Sequence, residues 1–140
     1  MQYDIETSKA LLKLLDDNII YLRYKTDSYF ELEDAIEVNT HIFNLAKGKH
    51  YSVIVDGRGV FGNITNEARM HYVNDPKTKN IRLAEAIILD NLPARIFARF
   101  YMKVNKPNNP VKIFSNEIEA EKWIYAIYKL NHLFNKKRDV

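Results

Sequence analysis

The chain has 140 residues, the length of one domain, and it carries a formal net charge of +3 and no cysteine. The lack of cysteine excludes disulfides and thiolate metal sites, and so small a charge does not indicate a nucleic-acid-binding protein. We therefore predict a single domain over residues 1–140, with a basic tail at about residues 135–140. We also predict a cytoplasmic location, because the sequence has neither a signal-peptide pattern nor an apolar run of membrane-spanning length.

The first third of the chain predicts a β-hairpin followed by one helix. Residues 7–15 and 19–25 flank a polar turn, and the second segment alternates apolar and polar side chains. Residues 32–47 have the spacing of a helix with one buried stripe, acidic residues in its first turn, and Gly48 as a left-handed stop. The predicted buried stripe comprises Leu32, Ala35, Ile36, Ile42, Phe43 and Ala46.

The middle of the chain predicts a strand, a glycine-rich loop and a helix start. Residues 51–56 are an apolar run that ends on Asp56, and three glycines punctuate the loop that follows. Thr65 has the character of an N-cap for the next helix. In an open α/β sheet, ligands and partners usually bind where a strand leads through a loop into the N-terminus of a helix.

The last part of the chain predicts two more strands, at residues 83–89 and 111–114, each followed by a helix. Asn91 caps the first of these helices, and Asn116 begins a capping box for the second, whereas residues 77–80 form a polar connection. The apolar stripes of the two helices comprise Leu92, Ile96, Phe100 and Val104, and Ala120, Trp123, Ile124, Ile127, Leu130 and Phe134. The predicted fold class is α/β, a mixed β-sheet opened by a β-hairpin with four helices packed on it.

An ordered set of sequence blocks covers nearly the whole chain. The blocks are VIVDGRG at 53–59, ITNEAR at 64–69, AEAIILD at 84–90, FYMKVNKP at 100–107, VKIFS at 111–115 and EAEKWI at 119–124. Together they resemble the STAS family of anti-sigma-factor antagonists, and most closely its small, stand-alone bacterial members. The resemblance implies a SpoIIAA-like fold and a non-enzymatic regulatory or protein-interaction module.

The same resemblance singles out the start of the helix after residue 64. Regulatory STAS domains carry a phosphorylatable serine there, in an Asp-Ser-x-Gly setting, and Thr65 falls on that position. Ile64 and Glu67 depart from the pattern, so we rank phosphorylation of Thr65 below a plain N-cap role. The candidate interaction surface around Thr65 comprises Arg58, Asn63, Asn66 and Arg69.

The three glycines of the loop also match the dinucleotide-binding fingerprint G-x-G-x-x-G. The helix begins too late, near Thr65, and the acidic residue Asp90 lies too far along the chain to bind a ribose. We therefore predict no cofactor and interpret the glycines as loop residues. The alternative function is a small-ligand-binding domain, for a nucleotide or a lipid-like molecule, that uses the strand-end loops around Asp56–Thr65 and Asp90–Asn91.

No catalytic constellation stands out, since the histidines are scattered and no nucleophile accompanies Asp56 or Asp90. We predict that the protein is not an enzyme and has no metal site. A secondary basic stripe of Arg95, Arg99 and Lys103 covers apolar surface with its long stems, and it could also meet an anionic partner. We expect a protein partner and a homodimer, no nucleic acid, and rank peripheral membrane contact below these.

Overall fold

The computed structural model describes residues 1–16, 18–60, 63–104 and 106–138, without the side chains of residues 134–138. Within these residues the chain forms six strands and five helices. The strands are β1 Ile5–Glu6, β2 Ala10–Asp16, β3 Ile19–Tyr24, β4 Tyr51–Asp56, β5 Arg82–Ile88 and β6 Val111–Phe114. The helices are α1 Leu32–Ala46, α2 Asn66–Asn74, α3 Pro76–Lys79, α4 Leu92–Val104 and α5 Glu117–Arg138.

The six strands form one sheet in the order β1-β2-β3-β4-β5-β6. β1, β2 and β3 pair antiparallel, while β3, β4, β5 and β6 pair parallel. This arrangement confirms the predicted mixed sheet opened by a hairpin. The carboxyl ends of β4 and β5 therefore lie at the same edge of the sheet, followed by the loops that lead into α2 and α4.

Side chains alternate between two covered faces of the sheet. On one face, Leu22 and Val55 belong to a cluster that includes buried residues of α1 and α2. On the opposite face, Ile54 and Ala86 pack with buried residues of α5. α4 covers β6 on the same face as α1 and α2, because Ile87 packs against both sets of helices.

The first helix turns a different side to the core than predicted. Ile36 and Phe43 are exposed, whereas Val38 and the polar Asn39 are fully buried. Asn39 is placed to reach α2, where its side-chain amide donates to the carbonyl of His71 at 3.4 Å. The predicted stripe was wrong at Ile36 and Phe43 because helical spacing alone does not show which of two adjacent faces meets a neighbouring helix.

The predicted connection at residues 77–80 is instead largely the short helix α3. Pro76 lies in its first turn, and the side chain of Asp75 accepts from the backbone N–H of Lys77 at 3.2 Å. The motif Asn-Asp-Pro ends α2 and also begins α3, since a proline is well suited to a first helical turn. The described residues therefore form one more helix than predicted.

The predicted apolar stripe of α4 points away from the sheet. Small side chains, Ala94 and Ala98, form its buried side, whereas the large apolar residues of the stripe are between 57 and 66 % exposed. In α5, Ala120 and Ile124 are buried and Trp123 packs 5.8 Å from the ring of Phe114. Leu130, predicted in the stripe of α5, is exposed. The prediction for Phe134 lies outside the described side chains.

Candidate ligand-binding site

A cavity of about 440 Å³ lies between the sheet and helices α2 and α4, and we call it the interhelical cavity. Most of its lining is apolar. Its size is within the range of roughly 300–1,000 Å³ that small-molecule sites occupy. The lining includes Tyr24, Val55, Gly57, Ile64, Ala68, Arg69, Tyr72, Val73, Lys79, Arg82, Glu85, Ile87, Leu89, Phe97, Ala98, Tyr101, Met102, Lys106 and Val111.

The cavity exists because α4 approaches the sheet through small residues. Ala94 and Ala98 pack beside Leu89 and Ile113, so the buried side of α4 carries only small side chains at these positions. Two side-chain contacts connect α2 and α4 across the cavity. The guanidinium of Arg69 lies 5.6 Å from the ring centroid of Phe97, and the hydroxyl of Tyr101 donates to the sulfur of Met70 at 3.6 Å.

Glu85 places a carboxyl group in this largely apolar lining. Its residue is only 7 % exposed, and its side chain accepts no hydrogen bond and forms no ion pair with any residue that the structure describes. Buried polar groups in proteins usually have a hydrogen-bond partner. A buried carboxyl group without one is a candidate for contact with a ligand.

Arg82 also lines the cavity, but its donors are already used. Its Nε donates to the hydroxyl of Tyr51 at 3.2 Å, and its Nη2 donates to the carbonyl of Tyr72 at 2.9 Å and to Oγ1 of Thr78 at 3.4 Å. Burial alone would lower the pKa of Arg82, but Tyr72 and Glu85 raise it above the ordinary value. Arg82 is therefore a charged clamp that joins β4, β5 and the end of α2.

Two tyrosines stand near the carboxyl group of Glu85. Burial first, and Glu85 second, raise the pKa of both Tyr24 and Tyr72 above the ordinary value. The hydroxyl of Tyr72 is buried and has no hydrogen-bond partner among the described residues. Both phenols therefore stay protonated at neutral pH, and the cavity wall combines aromatic surface with neutral polar groups.

The acidic residue that ends β4 faces away from the cavity, toward α5. Asp56 is buried, and it accepts hydrogen bonds from the hydroxyl of Tyr21 at 2.8 Å and from Nε and Nη2 of Arg58 at 2.9 and 2.7 Å. Arg58 also lies 3.6 Å from a carboxylate oxygen of Glu117 in α5. This cluster fastens the loop after β4 to α5.

The two strand-end loops predicted to hold a ligand contribute unequally. Gly57 and Ile64, from the loop after β4, line the cavity. Asp56 does not line it, and Asp90 is exposed. Two residues of this loop, 61 and 62, lie outside the described part of the chain. The predicted ligand-binding loops therefore supply only part of the lining of the interhelical cavity.

The predicted interaction residues fall into two groups. Thr65 caps α2, since its Oγ1 accepts from the backbone N–H of Ala68 at 3.1 Å, and Asn63 and Asn66 are exposed beside it. Arg69 follows one turn later and lies over Phe97 of α4. Arg58 is separate from this group, because its guanidinium is bound to Asp56.

The secondary basic stripe runs along the outer side of α4. Arg95 donates to the carbonyl of Leu89 at 3.1 Å, while Arg99 and Lys103 are exposed. A row of exposed apolar residues adjoins the stripe, and we call it the α4 row. It comprises Leu92, Ile96, Phe100 and Val104.

Glu85, Arg82 and Tyr72 give the cavity its chemistry, and none of them was predicted as a site residue from the sequence. One signal was present, because Glu85 interrupts an otherwise apolar strand and faces the side of the sheet that helices cover. A charged residue at a buried position is more informative than the apolar residues around it.

The fold and the position of the site allow the chain to be placed among known proteins. It is similar to the crystal structure of an uncharacterized protein from the DUF3478 family with a SpoIIAA-like fold from Shewanella loihica PV-4, with a TM-score of 0.60 at 12% identity. The likeness covers 89% of this chain and 98% of that one, and it confirms the predicted SpoIIAA-like fold. The chain belongs to the family described as domain of unknown function DUF7793, whose model matches residues 13–128. No curated protein matches the sequence.

In the described part of the chain, no group of histidine, aspartate and glutamate side chains is arranged to hold a metal ion. Among the same residues, no helix has the length and apolar character that crossing a bilayer requires.

Proposed function

We propose that this SpoIIAA-like domain is a non-enzymatic module that binds a small, largely apolar molecule in the interhelical cavity. The observation that carries the proposal is the cavity of about 440 Å³, whose apolar lining contains the unpaired side chain of Glu85. A large apolar pocket with a few convergent polar groups is the usual form of a small-molecule site.

The lining favours a lipid-like or aromatic molecule over a nucleotide. Val55, Ile87 and Met102 offer no partner for phosphate or ribose oxygens, and Arg82 already uses its donors within the protein. Burying apolar surface contributes roughly 25 cal/mol per Å². An apolar body is therefore the part of a ligand that this site stabilises.

The first test fills the cavity from α4. Replacing Ala98 by Phe places a ring in the space that a ligand would occupy, so we expect the affinity for the probe phenylpropanol to fall by at least about tenfold, equivalent to 1.4 kcal/mol. Titration calorimetry measures the affinity, and Ala98→Leu serves as a milder variant if the larger ring impairs folding.

Ala126→Phe is the matched control, because Ala126 is an exposed helical alanine of α5 that does not line the cavity. It should bind phenylpropanol like the wild type. Equal affinity in wild type, Ala98→Leu and Ala98→Phe, or no binding by the wild type, would contradict the proposal.

The second candidate function is a regulatory protein-interaction module, and the α4 row favours it. Its side chains lie 57–66 % exposed next to a basic stripe, whereas contiguous exposed apolar residues typically mark contact sites. In this proposal the contact surface also includes Asn63, Thr65 and Asn66, which lie at the start of α2. Arg69 of α2 lies over the ring of Phe97 of α4, so the two parts of the surface are adjacent. The partner would be another protein or a second copy of the chain.

Thr65→Glu tests this second candidate. A negative charge is favoured at a helix N-terminus, so we expect the free energy of unfolding to change by no more than about 1 kcal/mol. The same charge, which also imitates phosphorylation, should weaken an interface that closes over the start of α2. Sedimentation velocity would measure self-association, and the thermal midpoint would report folding.

Thr40→Glu is the control, because Thr40 is exposed in the middle of α1. Self-association that is unchanged in both Thr65→Glu and Arg69→Glu would move the contact surface away from α2. A wild type that stays monomeric at all concentrations would remove the homodimer from this proposal.

A further inference from the structure

We infer that Glu85 selects the ligand, so that the interhelical cavity takes an apolar compound whose inner end is a hydrogen-bond donor, such as an amine or an alcohol. The same body with a carboxylate at that end is rejected. This inference rests on the proposed ligand-binding function, and it adds the chemical class of the ligand and its orientation in the site.

The position of Glu85 in the sheet places its carboxyl group on the floor of the cavity. Ala84 and Ala86, its neighbours in β5, pack on the α5 side, so the side chain of Glu85 projects to the side of α2 and α4. In the sheet register, Glu85 lies between Val53 of β4 and Val111 of β6. Neither valine side chain offers a hydrogen-bond donor, so the floor leaves the carboxyl oxygens for a ligand.

The guanidinium donors that line the cavity are engaged within the protein, whereas the hydroxyl of Tyr72 has no hydrogen-bond partner among the described residues. Arg82 donates to Tyr51, Tyr72 and Thr78, and Arg69 lies over the ring of Phe97. A ligand N–H or O–H would therefore give Glu85 a partner that the described residues do not give it. Hydrogen bonds to an ionised acceptor are roughly twice as strong as neutral ones.

Charge also fixes which way round the ligand lies. Two of the cations that line the cavity, Lys79 and Lys106, are half-buried and exposed respectively, whereas Glu85 is almost fully buried. A ligand carboxylate on the floor would place its acceptor oxygens against the acceptor oxygens of Glu85 and would bring no donor of its own. A negative group on the ligand is tolerated only at the outer side, beside the lysines.

Glu85→Gln tests whether the carboxyl group of Glu85, rather than the shape of its side chain, selects the ligand. The amide has nearly the same shape as the carboxyl group, but it also presents two N–H donors, so it can satisfy a carboxylate as well as a donor. Because glutamine also keeps the volume of the side chain, the variant should fold like the wild type.

The experiment measures the affinities of three probes with one skeleton, phenylpropylamine, phenylpropanol and phenylpropanoic acid, by calorimetry at neutral pH. The wild type should bind the amine and the alcohol at least about tenfold more tightly than the acid, a factor that corresponds to 1.4 kcal/mol. Glu85→Gln should lose most of this discrimination by binding the amine less tightly and the acid more tightly. Glu119→Gln, an exposed glutamate on α5, should retain the discrimination.

Each other outcome overturns at least one of the two proposals. If Ala98→Phe abolishes binding but Glu85→Gln discriminates among the probes like the wild type, the cavity binds ligands and Glu85 does not select them. If the wild type prefers the acid, the assigned chemical class is wrong. If the wild type binds none of the three probes, both the proposed function and the role of Glu85 fail.

Discussion

Replacing Arg82 by Met should lower the free energy of unfolding by about 3–5 kcal/mol, because it removes one partner from a buried charged network. The guanidinium is buried and bridges the hydroxyl of Tyr51, the carbonyl of Tyr72 and the hydroxyl of Thr78. Methionine fills much of the volume but provides no donor for these acceptors, which lose a charged hydrogen-bond partner. It also removes the positive charge that accompanies Glu85.

Urea unfolding followed by circular dichroism measures this effect. Arg99→Met is the matched control, since Arg99 is an exposed arginine of α4, and its replacement should change stability by no more than about 0.5 kcal/mol. A loss below about 1 kcal/mol for Arg82→Met would show that water satisfies these groups and that Arg82 is not a clamp.

Asp56→Ala should lower the free energy of unfolding by about 2–4 kcal/mol. The substitution leaves the buried hydroxyl of Tyr21 without its acceptor and releases the guanidinium of Arg58 from a bidentate contact. Arg58 is 35 % exposed, so water recovers part of its loss. Asp90→Ala is the control, because Asp90 follows the neighbouring strand but is exposed, and its replacement should be nearly neutral.

The contribution of Asp56 should also depend on pH in a defined direction. Burial alone would raise the pKa of Asp56, but hydrogen bonds from Arg58 and Tyr21 outweigh it, so the pKa lies below the ordinary value of 3.8. A carboxylate with a lowered folded pKa stabilises the protein above the unfolded pKa and loses this contribution as the pH falls. The stability difference between wild type and Asp56→Asn should therefore shrink below pH 3.8; a difference that stays constant down to pH 2 would contradict the lowered pKa.

Local sequence signals predicted most of the fold. The hairpin, the parallel strands and the caps at Thr65, Asn91 and Asn116 depend on residues close together in the chain. The short helix α3 was missed because the proline that ended one predicted helix also began the next. A proline indicates the boundary of a secondary-structure element, but it does not show which kind of element follows.

The interhelical cavity could not be predicted in the same way. The spacing of Ile96 and Phe100 indicates an apolar helix face, but the choice of alanines for the buried side depends on how closely α4 approaches β6. Glu85 gave a usable signal as a charged residue in a buried strand. The rest of the lining includes Tyr72 from α2 and Ala98 from α4. Their place in the cavity depends on how the two helices pack on the sheet, which the sequence pattern does not show.

The central claim is that a ligand enters the interhelical cavity, and amide chemical-shift mapping with phenylpropanol tests it most directly. We expect the largest shifts at residues of its lining, namely Val73, Ile87 and Met102, with saturation as the probe is added. Shifts confined to the exposed α4 row, at Leu92 and Ile96, or no saturable shifts at all, would contradict the account.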